Sequence, residues 1–180
     1  MKKLIGLTGE IGSGKDTFCG YVKKNYKNIF VFRFSDALTD VLKIFFDSIK
    51  REDQQWLSPL LKERFGNDIL VRALIKKANN IGDGIIILNG VRAEAEATAI
   101  KDAGGKIIYI TANQKTRWER VRVRGEKADD DVSYEKFLEL EKAGTELQIP
   151  SIGKSADFKI DNDGSKKLFY QEIKKVMVKI

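Results

Sequence analysis

Histidine is absent from this sequence. That excludes Ser-His-Asp and Cys-His triads, histidine-ligated zinc and imidazole acid–base chemistry within the chain. Cysteine occurs once, as Cys19. One thiol cannot form an internal disulfide, and its scarcity fits a reducing, cytoplasmic setting. Proline is nearly as rare: Pro59 and Pro150 stand alone, and each reads as a turn. Long hydrophobic runs are missing as well. The longest purely aliphatic run is Ile85 to Leu88, against the roughly 20 apolar residues of a membrane span. Gly6 comes too early for a secretory leader, so none is expected. No repeat or linker interrupts the 180 residues, and that length suits one domain, 1–180, with one sizeable core.

What the chain does carry is positive charge, +7 at neutral pH. Such a balance points to anionic partners: nucleotides, phosphorylated small molecules or nucleic acid. Aromatic residues are not interleaved with the basic ones as stacking platforms require. Lys23, Lys24, Lys76, Lys77, Lys174 and Lys175 fall on outer faces of expected helices. Both features argue against nucleic acid and for a solvated surface.

The pattern alternates strand and helix. Short apolar segments predict strands at 2–8, 29–34, 85–91, 106–111 and 158–160. Helical spacing predicts helices at 15–25, 36–50, 56–65, 69–79, 93–103, 114–124, 133–147 and 165–178, with Ser133 as an N-cap and Gly104-Gly105 as a stop. Strands separated by helices give an α/β fold: a parallel sheet covered on both faces. Right-handed crossovers set the loops that follow the strands along one edge, where ligands bind.

After the first strand the chain reads Gly9-Glu10-Ile11-Gly12-Ser13-Gly14-Lys15-Asp16-Thr17, a G-x-x-x-x-G-K pattern between strand and helix. Glycines let backbone N–H groups turn inward around phosphate oxygens. The following helix aims its positive end at them, and Lys15 supplies a cation for the β and γ phosphates. The lysine marks a nucleoside triphosphate over a dinucleotide. The usual Ser/Thr magnesium ligand after the lysine is Asp16 here, with Thr17 next. Two assignments stay open: Asp16 holds the metal, directly or through water, or Thr17 takes the hydroxyl role.

The other strand ends add candidates. Arg33 and Asp36 close the second strand, where Asp36 can orient or deprotonate an acceptor hydroxyl or simply cap the next helix. The third ends Asn89-Gly90-Val91-Arg92, with uncharged Asn89 where a metal-fixing Asp often stands and Arg92 placed for an anionic group. After the fourth, Arg117, Arg120 and Arg124 share one helical face and precede Gly125 and the acidic run Asp129-Asp130-Asp131, a pattern expected of a lid. After the fifth, Asp161-Asn162-Asp163-Gly164-Ser165 can wrap a base or serve as a plain turn.

Through Gly12 to Thr17, Asn89 to Arg92, Thr116 to Gly125 and Asp161 to Ser165, the whole chain resembles the P-loop kinases of the nucleoside-monophosphate-kinase type. Within them it is most similar to the dephospho-CoA kinase, adenylate-kinase-related and deoxynucleoside-monophosphate-kinase group. The resemblance implies a three-layer α/β/α fold with a five-stranded parallel sheet. It implies an acceptor-binding helical segment at about 36–80, a helical lid at about 113–148, and ATP with Mg2+ as donor. It also implies roles: Gly9, Ile11, Gly12, Ser13, Gly14, Lys15, Asp16 and Thr17 on the phosphates; Arg33, Asp36 and Arg92 on the acceptor; Arg120 or Arg124 acting from the lid beside Arg117; Asn162 and Gly164 at the base. The implied reaction is γ-phosphoryl transfer to dephospho-CoA or a (deoxy)nucleoside monophosphate.

Two other classes compete. A nucleic-acid-binding protein or 5′-end kinase follows from the charge alone. A nucleotide-binding regulator without turnover is the other; a GTPase switch of that kind would need an Asn-Lys-x-Asp base-reading motif, which is missing.

Overall fold

The computed structural model describes residues 1–124, 133–142 and 144–180, with the side chains of Arg51 and Arg124 outside that description. Five strands form one parallel sheet: β1 (Lys2–Thr8), β2 (Ile29–Arg33), β3 (Gly84–Val91), β4 (Lys106–Thr111) and β5 (Phe158–Asp161). Their order is β2-β3-β1-β4-β5, and all pairings are parallel. The expected three-layer α/β/α fold holds.

The strands are apolar on both faces because helices cover both. Side chains alternate with the pleat. Ile87 joins Ile5, Leu7, Ile108 and Ile110 under α1 (Lys15–Asn25) and α9 (Lys166–Lys179), where Phe18, Val22, Phe169 and Ile173 close the layer. Its neighbours Ile86 and Leu88 face the other way. There they meet Val71 and Leu74 of α4 (Ile69–Asn79), Ile100 of α5 (Glu94–Asp102) and Ile152 of α8 (Ile149–Lys154).

Parallel register aligns the strand ends. Arg33 lies opposite Asn89, and Thr8 lies opposite Val91 across an irregularity after Leu7. Thr8 Oγ1 donates to Val91 O over 2.8 Å there. The ends of β1, β2 and β3 therefore open onto one site.

Three expectations need correction. The helix after β2 does not reach Lys50: α2 is Phe34–Leu42, so Phe34 leaves the strand as well. Apolar spacing continues through Ile44, Phe45 and Phe46, but these side chains are exposed and have no layer to pack on. The N–H groups of Phe45 and Phe46 both turn back to Leu42 O at 2.9 Å and close the helix. The prolines are not turns. Pro59 lies inside α3 (Arg51–Phe65), a helix with no buried side chain among the described residues, which tolerates the lost hydrogen bond. Pro150 sits in the first turn of α8, where no N–H is needed. The helix expected over 133–147 stops early: α7 is Tyr134–Glu141, and α8 follows separately. Ser133 caps α7 as expected, accepting from Lys136 N over 3.2 Å. The remaining helix, α6, spans Gln114–Arg124. Among the described residues no helix is long and apolar enough to cross a membrane.

Candidate active site

The loop between β1 and α1 is packed tightly from outside. Gly12 has φ +77°, and a Cβ there would sit 2.5 Å from Arg117 O. Gly14 has φ +109°, and a Cβ would meet Asn162 Nδ2 at 2.4 Å. Only glycine fits both conformation and space. Among the described residues no side chain caps α1, whose N-cap is Gly14. Its first-turn N–H groups, unpaired within any helix, open onto the loop. Ser13 Oγ is buried inside without a protein partner among the described residues, which fits a phosphate oxygen.

Lys15 reaches back over this loop. Its Nζ donates to Gly9 O and, over 2.9 Å, to Glu10 O. Burial first and then the Arg92 guanidinium pull its pKa down to about 8, against the opposing pull of Glu146, Asp16 and Glu10. The lysine thus sits among both signs of charge.

Asp16 is the junction between loop and sheet. Its Oδ1 accepts from Asn89 Nδ2 over 3.0 Å and from Arg33 Nη2 over 3.5 Å. A cleft of about 390 Å³ opens beside it, lined by Asp16, Cys19, Gly20, Lys23, Val31, Arg33, Asp36 and Asn89. Asp36 also caps α2, its Oδ2 accepting from Arg33 N over 2.7 Å. Cys19 is buried, and burial and then Asp16 push its thiol up to about 12, which disfavours the reactive thiolate. The donor set suits magnesium, which takes one or two carboxylates together with phosphate oxygens and waters. A three-residue cage, not found among the described residues, is not needed. Thr17 is exposed one residue along.

Arg92 follows the end of β3, where Val91 O meets Thr8 Oγ1 just before the loop. Its N–H donates to Glu96 Oε2 over 2.9 Å, and its Nη1 donates to Glu146 Oε1. Glu146 is buried, whereas Arg92 is half exposed.

The arginine face divides. Arg117 is buried rather than on an open lid face. It donates from Nε to Ala112 O over 2.9 Å, from Nη1 to Ile11 O over 3.2 Å, and to the Glu141 carboxylate. It therefore props the phosphate loop from below. Arg120 Nη2 donates to Asn162 O over 2.7 Å, and its Nη1 is buried without a protein partner among the described residues. Asn162 is itself buried and donates from Nδ2 to Ser13 O over 2.8 Å. Its amide is engaged on the loop, while Gly164 packs near Leu168. Gly125 and Asp129 to Asp131, expected in a lid, lie outside the described residues, as does the side chain of Arg124.

Several charged groups at the site carry no sequence signal. Glu10 accepts from the Tyr109 hydroxyl, whose pKa is pushed up to about 12 by burial and by that hydrogen bond. Glu141 and Glu146 come from beyond the arginine helix and meet their partners only in the fold.

A family model described as "AAA domain" matches residues 5–139. The chain belongs to that family. Among curated proteins, it is similar to UPF0200 proteins of archaea. A UPF0200 protein of Methanococcus maripaludis is 28% identical, covering 99% of this chain and 97% of its own. A UPF0200/UPF0201 protein of Archaeoglobus fulgidus is 28% identical over 67% of this chain, and the match spans only 38% of that relative. Among solved structures, shikimate kinase from Bacteroides thetaiotaomicron superposes with TM-score 0.60 at 16% identity, covering 99% of both chains. Dephospho-CoA kinase from Campylobacter jejuni superposes with TM-score 0.52 at 18% identity, covering 99% of this chain and 97% of its own. This AAA-domain chain has the fold of P-loop kinases.

Proposed function

We propose that the protein is a kinase that moves the γ-phosphoryl group of ATP, with Mg2+, to a small nucleotide-like acceptor. One observation supports this above the others: Asp16 belongs both to the phosphate loop and to the polar cleft with Arg33, Asp36 and Asn89. Donor and acceptor sites share a wall at the place where phosphoryl must cross.

Catalysis would be positioning and charge stabilisation. Loop N–H groups and Lys15 hold the donor phosphates. Asp16, steadied by Asn89, offers the carboxylate for the metal. Held by Asp16 and waters, magnesium would supply positive charge against the donor phosphates. Arg33 and Lys23 give the cleft cations for an anionic acceptor, while Asp36 can take the proton of an acceptor hydroxyl. A phosphate-oxygen acceptor, as in a nucleoside monophosphate, would need no such base.

Coupled ADP release tests the reading. The panel holds dephospho-CoA, shikimate, the ribo- and deoxyribonucleoside monophosphates and a 5′-hydroxyl oligonucleotide, with Lys15→Ala as control. Release above background with one small acceptor, lost in the control, is the expected result. Silence across the panel with ATP bound would overturn transfer to these acceptors, and release with the oligonucleotide alone would assign a nucleic-acid end kinase.

A further inference from the structure

A buried carboxylate beside a phosphate cradle opposes the anion that the cradle serves. Glu146 is such a group: its side chain is 7% exposed, and its Oε1 accepts from Arg92 Nη1. Thr145 Oγ1 also donates to Oε1, over 3.5 Å. Removing a carboxylate from water costs several kcal/mol unless a partner offsets it, and Arg92 is that partner.

The backbone on both sides of the pair is fastened. Glu96, 2% exposed, accepts from Arg92 N over 2.9 Å and Ala93 N over 3.1 Å. Lys62 Nζ lies 3.6 Å from the same carboxylate. Beyond Glu146, Gln148 Oε1 accepts from Glu94 N over 2.9 Å, and Ser151 Oγ donates to Glu94 Oε1 over 2.5 Å. The turn carrying Glu146 is therefore stitched to the turn carrying Arg92. Arg92 follows Val91, whose carbonyl accepts from Thr8 Oγ1 over 2.8 Å, and Lys15 Nζ donates to the residue after Thr8, at Gly9 O. Two cations and one carboxylate thus share the mouth of the loop.

We infer that Glu146 is a positioning residue: it holds the Arg92 guanidinium beside Lys15, so that the two cations close as a clamp on the terminal phosphate of the donor. This rests on the kinase reading for the step that follows but not for the clamp itself. The carboxylate fixes where the guanidinium points, and the half-exposed guanidinium does the touching. A salt bridge that served the fold alone would leave the terminal phosphate unread.

The test is a double-mutant cycle on the full chain with Arg92→Ala, Glu146→Gln and the double variant. ATP and ADP affinities are measured first by calorimetry, with Mg2+ present. Glu146→Gln keeps shape and removes charge. It is expected to cut the preference for ATP over ADP about tenfold, within the range of allosteric and pairwise couplings. Arg92→Ala is expected to do the same, and the double variant no more. Glu146→Asp, which keeps the charge, should recover part of the preference. Where an acceptor is known, kcat should follow the same non-additive pattern with the KM for ATP moving less.

Independent, multiplying effects would overturn the clamp, as would an unchanged preference in folded Glu146→Gln. Equal weakening of ATP and ADP would reduce the pair to a structural bridge and likewise overturn it. Wild type that binds ATP but phosphorylates nothing would sink the kinase reading alone, since the affinity cycle needs no turnover.

Discussion

Asn89 and Asp16 are 73 residues apart in the chain and joined by one hydrogen bond, Nδ2 to Oδ1 over 3.0 Å. In many P-loop proteins the hydroxyl stands on the helix and the carboxylate on the neighbouring strand. Here the carboxylate stands on α1, and the strand supplies the amide that aims it. On the proposed reading, the charge offered to the metal keeps its region of space while changing its place in the sequence.

Asp16→Ala should therefore raise the Mg2+ concentration for half-maximal turnover about tenfold or more, and Asn89→Ala, which only loosens the carboxylate, by less. A Mg2+ titration of ADP release orders the three proteins. Superimposable curves would transfer the metal role to Thr17.

The pH dependence follows from Lys15, whose folded pKa is pulled from 10.5 to about 8. Charged Lys15 binds phosphate, so kcat/KM for ATP should hold below about pH 8 and fall as pH rises through it. Stability should move the other way. Between about 8 and 10.5 the unfolded chain holds the proton that the folded chain has released, so this group makes the fold more stable as pH rises. Wild-type pH-rate profiles check the first trend; Lys15→Met should remove the second, checked by urea midpoints across pH 8 to 10.5.

Gly20 separates stability from binding. A Cβ there would meet nothing within 4 Å, and the residue lies inside α1. Gly20→Ala should stabilise the protein by about 0.5–1 kcal/mol. The methyl group also projects at a position lining the cleft, so the KM of the acceptor should rise. A higher Tm with unchanged acceptor KM would remove the acceptor from that cleft.

Arg117→Ala should destabilise the fold by about 3 kcal/mol, since it strands the Glu141 carboxylate and two carbonyls at the loop. Arg117→Met with Glu141→Gln should recover much of the loss. Urea unfolding of the single and double variants measures it; a single variant as stable as wild type would return Arg117 to the lid.

The phosphate loop was legible in the sequence because its chemistry is local: glycines, lysine and helix start occupy consecutive positions. The strands were legible because burial on both faces makes them continuous apolar runs. The end of α2 was not. Phe45 and Phe46 continue the helical period, and spacing cannot say whether a packing surface exists for them. Arg117, Arg120 and Arg124 share a face by spacing, yet depth separates Arg117 from Arg120, and depth depends on where α7 and β5 lie. Glu146 was invisible because a 133–147 helix would have placed it as an ordinary surface acid. Its partner sits 54 residues away.

The strand order also constrains how the molecule comes into being. Among the described residues, β2 pairs only with β3, and β1 pairs only with β3 and β4. A chain emerging from the ribosome therefore carries two strands that cannot join each other. They wait for the segment beginning at Gly84, with the apolar face of α1 uncovered meanwhile. The nucleotide-binding loop, complete in sequence by Thr17, is left without its supports until β4, α6 and Asn162 have followed. The loop is thus among the first segments made and among the last to be supported.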